Sequence, residues 1–388
     1  MAHRPSNATA LGLRGFPVRP ASDSPSASGR FLLGATLALV GFGLLSVYSA
    51  SSYVAQQAGR PDTYYLFQQA SRAGIGCVAM ALASVIDYRL YRRLAWPILG
   101  VAVLLLVPLV LPGTEAIAPE INGARRWLDL GVRIQPSELT KLAVVIWTAA
   151  LAVKKQDRLG DFRDGLLPFL IVLGPVCLLI LLEPHFSAAM WVAILAGVVL
   201  FAAGARLVHF AALGSIVLAL AVMQVFTAQY RLRRILAFLD PESAAGAAGY
   251  QLQQSLIAIG SGGLTGVGFG RSTTKMQFLP EPQNDFIFSI IAEEWGFIGV
   301  VCVIALFSIW ALLGFRIARA APDLFGRLLA TGLTAGIALG AFTHIGIALG
   351  LLPTTGVNLP FVSAGGTNLV IALGATGILL NVSSAGER

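Results

Sequence analysis

Asp285 ends the proline-rich stretch Leu279-Pro-Glu-Pro-Gln-Asn-Asp285 and stands where a long apolar run begins. A carboxylate there suits two roles. It can cap the following helix, a contribution of about 1 kcal/mol, or act as a general base at a membrane surface. The cationic segments nearby favour the base. Glu138 and Lys141 follow Pro136, a residue suited to the first turn of a helix because it forfeits no hydrogen bond there. The helix dipole favours Glu138 in that turn, and Lys141 falls within reach on the same face. Such a pair serves structure as often as function, although ionisable groups inside membrane spans mark function by default. Glu293 and Glu294 come two turns after Asp285. At roughly 100° per residue, Glu293 lies about 80° from Asp285 and is expected to line the same cavity. Glu294 faces away and is expected to pair with another span.

The elements that must position these groups are membrane spans. Among 388 residues, 56% are hydrophobic and 12% charged, about half the charge of a soluble domain. Ten apolar runs approach the roughly 20 residues needed to cross a bilayer: 31–53, 70–87, 94–112, 137–153, 165–182, 185–203, 206–227, 285–315, 326–351 and 361–381. The expected fold is all-α and integral to the membrane, with a disordered tail at 1–30, a ten-span domain at 31–382 and a short C-terminus at 383–388. The net charge of +8 does not point to nucleic acid. Arg89, Arg92, Arg93, Lys154, Lys155, Arg158, Arg316 and Arg319 fall on one side of alternating spans, together with the arginines of the tail. That asymmetry places both termini in the cytoplasm.

The opposite face carries loops at 113–136 and 228–284. The second includes Tyr230–Asp240, suited to a helix lying among headgroups, then a short helix at Gln251–Ile259 and a Gly-rich stretch. Arg125, Arg126, Arg133, Arg231, Arg233, Arg234, Arg271 and Lys275 lie on this outer face, where basic residues are normally scarce. Asp129, Asp240, Glu242, Glu281 or lipid phosphates offer them structural partners. The alternative is a cationic site for a phosphate or pyrophosphate on a lipid carrier. Gly266-Val-Gly-Phe-Gly270 lacks the preceding strand that a nucleotide-binding glycine motif requires. Four dispersed histidines give no zinc spacing. Cys77, Cys177 and Cys302 sit inside spans and give no disulfide framework.

Several blocks, in order, resemble the SEDS proteins (shape, elongation, division and sporulation). They are Gly43–Ser52, Gly123-Ala-Arg-Arg-Trp127 through Gln135-Pro-Ser-Glu138, Gly249–Leu264, Phe278-Leu-Pro-Glu281 with Asp285-Phe-Ile-Phe288, Glu293–Gly299 and Gly350–Ser363. The resemblance implies ten spans, a periplasmic active site in the bacterial inner membrane, and polymerisation of lipid II into peptidoglycan strands. It implies that Asp285 is the essential carboxylate and that Trp127, Glu138 and Lys141 matter to activity. It also implies a class B penicillin-binding protein as partner, among other division or elongation complex proteins and membrane lipids. The chain departs from the family pattern at Pro184-His-Phe-Ser-Ala188, Asn284, Thr355 and Ala364. Arg234–Pro241 and Gly350–Ser363 look closer to the FtsW-like division and sporulation branch than to RodA-like elongation.

In the resulting expectation Asp285 activates the acceptor 4-hydroxyl and the anomeric centre inverts. Arg125, Arg126 and Lys275, with Arg231 and Arg234, hold diphosphate, while Glu138 and Lys141 shape the cavity beside Glu293. A divalent cation, Mg or Mn, would suit a pyrophosphate, but no ligand cluster demands one, and no metal site is expected. Two other classes compete: a flippase, which needs polar groups reaching both faces, and a scaffold that only recruits an enzyme.

Overall fold

The computed structural model describes residues 26–121, 123–211, 214–215, 234, 238–239, 247–276, 279 and 281–386. Their helices are α1 (Ala27–Gln57), α2 (Tyr64–Val85), α3 (Tyr88–Arg93), α4 (Ala95–Val110), α5 (Pro136–Lys154), α6 (Leu167–Leu182), α7 (Phe186–Ala202), α8 (Ala247–Ser261), α9 (Ile287–Ala320), α10 (Leu324–Ala348) and α11 (Gly366–Gly386). Nine of the expected spans coincide with helices. The tenth, 206–227, lies mostly outside the described residues, as do the expected tail up to residue 25 and most of Tyr230–Asp240. Among the described residues, six helical segments are long and apolar enough to cross a membrane, and α4 and α7 are shorter apolar helices.

Local chemistry sets the boundaries. Ser26 caps α1 by accepting from Gly29 N at 3.0 Å, so the first helix starts inside the segment expected as tail. Pro136 opens α5, and Asp323 caps α10 by accepting from Gly326 N at 2.7 Å. At 34 residues, α9 runs about 50 Å and overshoots a hydrocarbon layer of roughly 30 Å. One small departure from an all-helical chain is a hairpin, β1 (Leu128–Asp129) against β2 (Arg133–Ile134). Gly131, at φ 85°, makes its turn, and Arg133 meets Asp129 at 3.2 Å.

The bundle is centred on α5, α10 and α11. In each of these, 67% of the apolar window is buried within protein, against 39% for α9 and 33% for the segment containing α6, whose outward faces are left to lipid. Packing pairs α11 with α2, α9 with α10 and α1, and α5 with α4 and α7. Polar contacts cross-link the helices. Trp310 Nε1 donates to Thr36 Oγ1 at 2.9 Å, joining α9 to α1. The short helix α8 docks against the bundle through Ser255, whose hydroxyl donates to Ala348 O at 2.7 Å and lies 2.6 Å from that of Ser289.

A helix broken inside a membrane must have its freed backbone groups satisfied by protein. In α9 the break is Gly296, at φ 65° and ψ −162°. The Gly-rich stretch expected from sequence fills it. Val267 N and Gly268 N donate to the carbonyls of Glu293 and Glu294 at 3.0 and 3.1 Å, while Phe297 N and Ile298 N donate to Gly263 O and Leu264 O at 2.9 and 3.2 Å. The approach leaves no room for side chains. A Cβ at Gly296 would strike Leu264 and Gly266, and one at Gly266, itself at φ 81°, would strike Glu294. These glycines make a backbone-to-backbone joint.

Candidate functional site

One end of the bundle gathers most of the residues singled out for chemistry. At the start of α5, Lys141 Nζ meets Glu138 Oε1 at 2.8 Å. The other oxygen of Glu138 accepts from Asn368 Nδ2 at 2.9 Å, and Gln135 N donates to Thr367 Oγ1 at 3.0 Å. The α5 and α11 entrances are thereby tied together, with Glu138 buried and both its oxygens used. Beneath them lies a cavity of about 110 Å³ between α5, α7, α10 and α11. Its polar lining includes Glu138, Lys141, His185, Asn358 and Asn368, and its deeper wall is apolar, including Val145 and Leu195.

Asp285 stands at the rim. Gly356 lines the cavity, and a Cβ there would lie 3.7 Å from Asp285 Oδ2, so glycine lets the loop pass close to the carboxylate. That loop is held from several sides. Ser363 Oγ donates to Asn284 O at 2.8 Å, Ala364 N to Gln283 O at 3.0 Å, and Arg234 Nη1 to Thr354 O at 3.0 Å. The ring of His344 sits 2.7 Å from Val357 O through Nδ1. Asp285 does not cap α9; the N-cap is Phe286, without a side-chain cap. Its carboxyl is therefore spared the role expected of a merely structural residue. Burial pushes it up to about 6, with the nearby charge of Glu281 adding to the rise and Arg234 and Arg126 opposing it. Such a value leaves a base charged at neutral pH yet basic enough to take a proton.

The cations divide. Arg126 donates to Pro184 O at 2.9 Å and acts electrostatically on Asp285, Glu183 and His185. Its neighbour Arg125 turns the other way, meeting Glu115 at 2.6 Å and Leu111 O at 3.2 Å. Arg125 closes the loop onto the end of α4, which corrects its expected place at a diphosphate. Trp127 is half-buried in the same loop. Arg231 lies outside the described residues, whereas Arg234 is at the site.

Two further expectations are corrected. Lys275 is buried and contacts Glu294 at 3.0 Å, Ser49 Oγ at 3.0 Å and Gly270 O at 2.9 Å. It closes a buried ion pair and is not presented to substrate. Glu293, expected to line the cavity, instead holds the 272–274 turn. Ser272 Oγ donates to it at 2.5 Å, Thr273 N at 2.8 Å and Thr273 Oγ1 at 3.1 Å. Glu294 does pair with another span, accepting from Ser49 Oγ of α1 at 2.5 Å. The angular estimate gave directions around a helix but not the loop that folds onto it.

Sequence reasoning passed over Asn368, Arg72 and Glu183, and met His185 only as a departure from the family pattern. Arg72, in α2, reaches Ala364 O at 3.4 Å; an arginine within an apolar run was signal enough. His185 lines the cavity and sits 3.4 Å from Ser137 Oγ. Burial, with the charges of Arg126 and Lys141, pulls its imidazole down to about 3, so it stays neutral. Burial pushes Glu183 up to about 8 against the pull of Arg126. Among the described residues no three His, Cys, Asp or Glu side chains converge as metal ligands would.

Comparison with known proteins agrees with this architecture. The family model described as cell cycle protein, covering FtsW, RodA and SpoVE, matches residues 30–387. The chain is 43% identical over 354 residues to a probable peptidoglycan glycosyltransferase FtsW of Trichlorobacter lovleyi, covering 91% of this chain and 92% of that one. It is 40% identical to stage V sporulation protein E of Bacillus subtilis over 349 residues, 90% of this chain and 94% of that one. Among solved structures, a chain from a peptidoglycan synthase complex that coordinates polymerization and crosslinking superposes with a TM-score of 0.75 at 31% identity. The match covers 91% of this chain and 97% of that one. The rod shape determining protein RodA of Thermus thermophilus gives a TM-score of 0.65 at 30% identity, covering 91% and 95%.

Proposed function

The chain belongs to the FtsW/RodA/SpoVE family of cell cycle proteins, and on that premise we propose that it is a peptidoglycan glycosyltransferase of the division type. It is a multi-pass protein of the inner membrane. In this reading ten spans set both termini in the cytoplasm and the Asp285 end in the periplasm, with 31–382 as one membrane domain and 228–284 as its large outer loop. The single observation that carries the enzymatic reading is Asp285: a half-buried carboxylate, raised toward neutrality, at the rim of a cavity and within the field of Arg126 and Arg234.

The reaction follows from those groups. Asp285 takes the proton of the acceptor sugar 4-hydroxyl as its oxygen attacks the donor anomeric carbon. The bond from that carbon to the diphosphate oxygen breaks, and the electron pair leaves with the lipid-linked diphosphate. Displacement on the opposite face inverts the centre. Arg126, Arg234 and Lys141 are the cations placed to stabilise the departing charge. Neutral His185 can donate from one nitrogen and accept at the other, which suits sugar or peptide groups. Lipid II is the substrate that fits this chemistry, and a class B penicillin-binding protein the partner that would crosslink the product. A magnesium or manganese ion, if one takes part, would ride chiefly on substrate phosphates. Relatives named FtsW and SpoVE support the division and sporulation branch. A flippase would need polar groups along the whole path, whereas among the described residues the cavity's polar lining is at one end.

The test is purified full-length protein with labelled lipid II, with and without its cognate partner, followed by separation of the strands. Initial rates should rise with pH on a limb centred near 6, because deprotonation creates the base. A base with an ordinary carboxylate value near 4 would leave the rate flat above about pH 5. A flat profile would remove Asp285 as the titrating base. The linked effect on stability has the opposite sign: the folded state holds this proton more tightly, so charging Asp285 lowers stability as pH rises between about 4 and 6. For sidedness, a reporter fused after residue 158 should report cytoplasm and one near residue 245 periplasm. Reversal at both points would overturn the orientation.

A further inference from the structure

At the other end of the bundle lies a second polar feature that the reaction does not use. Helix α3 is anchored there through Tyr88, which is fully buried. Its ring stacks on Phe325 with centroids 6.3 Å apart, its hydroxyl donates to Asp323 Oδ2 at 2.5 Å, and its backbone N donates to Asn381 Oδ1 at 2.8 Å. Asn381 is thirteen residues along α11 from Asn368, about 20 Å at 1.5 Å per residue. The platform is thus fixed and remote from Asp285.

On that platform Arg89, Arg92 and Arg93 occupy positions i, i+3 and i+4 and share one face. Like charges at that spacing repel, so the arrangement is unfavourable unless an anion answers it. The carboxylates present do not suffice. Asp87 lies 3.8 Å from Arg89. Asp323 Oδ1 accepts from Gly326 N, and its Oδ2 already serves Tyr88 and Arg89. Among the described residues, no ion pair involves Arg92 or Arg93. The three arginines, Asp323 and Phe325 line a hollow of about 450 Å³. On the same stretch of chain Leu90, Leu94 and Trp96 are 42%, 40% and 59% exposed. Those apolar side chains, and a tryptophan in particular, suit the boundary between headgroups and acyl chains.

We propose that the Arg89–Arg92–Arg93 hollow binds the phosphodiester headgroup of an anionic phospholipid, with Leu90, Leu94 and Trp96 against its acyl chains. A soluble phosphate would satisfy the arginines but leave the apolar rim in water, so the rim selects a lipid. Juxtamembrane cations of this kind contribute about 1 kcal/mol each toward an anionic surface, a factor of about five in affinity.

The experiment is native mass spectrometry of the full-length protein, released from detergent containing phosphatidylglycerol or phosphatidylcholine at equal mole fraction. The wild type should retain phosphatidylglycerol preferentially, R92Q about five-fold less, and R92Q/R93Q roughly twenty-five-fold less. R158Q removes an exposed cation from the 155–166 turn, outside the hollow, and should retain as much as wild type. Inorganic phosphate at millimolar concentration should not displace the lipid. Equal retention by R92Q/R93Q and wild type would overturn the site. An equal loss in R158Q would reduce it to general surface charge, and displacement by inorganic phosphate would show that the apolar rim does no selecting.

Discussion

Asp285→Asn should lower strand synthesis by about 10²- to 10⁴-fold, the usual worth of a general base, while leaving the protein folded. The amide keeps the shape of the carboxyl but loses its basic oxygen. Stability at neutral pH should hold or rise, because Asp285 caps nothing and its charged form, which burial disfavours, is removed. Thermal unfolding in detergent and pull-down of the partner measure that side of the claim. The pH limb near 6 should vanish with the carboxylate. A flippase predicts a different pattern: near-normal strand synthesis and impaired translocation of labelled lipid II in liposomes. Near-wild-type synthesis by the variant would move the search to Glu138, which lines the cavity as Glu293 does not.

Lys275→Met should have the largest effect on stability, and for an unrelated reason. The ammonium is buried between Glu294, Ser49 and the Gly270 carbonyl. Removing it strands a buried carboxylate, and breaking such a pair by deleting one partner costs about 3–5 kcal/mol. The matching prediction is partial rescue. Lys275→Met with Glu294→Gln removes both charges and should recover much of the loss, since neutral replacements of buried pairs are often tolerated. Melting temperatures of the two singles and the double, measured in one detergent, decide it. Simple additivity would mean that the two residues act independently and that the ion pair contributes nothing.

What the sequence made legible was the series of apolar helices, the place of Asp285 just ahead of α9 and the Glu138–Lys141 pair. Each rests on information carried along the chain: a run length, a proline-rich boundary, a spacing of three. What it hid was decided across the chain. Arg125 and Arg126 are adjacent and chemically identical, yet one meets Glu115 ten residues back and the other turns toward the 183–185 link. Glu293 has the right angle for the cavity, but Ser272 and Thr273 reach it first. Asn368 completes Glu138 from a distance of 230 residues, and nothing in its own neighbourhood announces that. The Gly-rich stretch owes its use to a break at Gly296 that the apolar run conceals.

That joint also bears on how the chain can be assembled. Residues 263–268 leave the ribosome before 293–298, and their amides and carbonyls find their partners only when the later helix arrives. Until then α9 has no reason to break at Gly296, since an unbroken helix would satisfy its own backbone. Insertion of this span and docking of the glycine loop are therefore one event. A chain stalled or truncated between residues 270 and 290 should expose the loop to protease even though every residue of the loop is present. Pulse-labelled, length-defined nascent chains would display protection appearing abruptly, in step with the emergence of residue 298 and its neighbours.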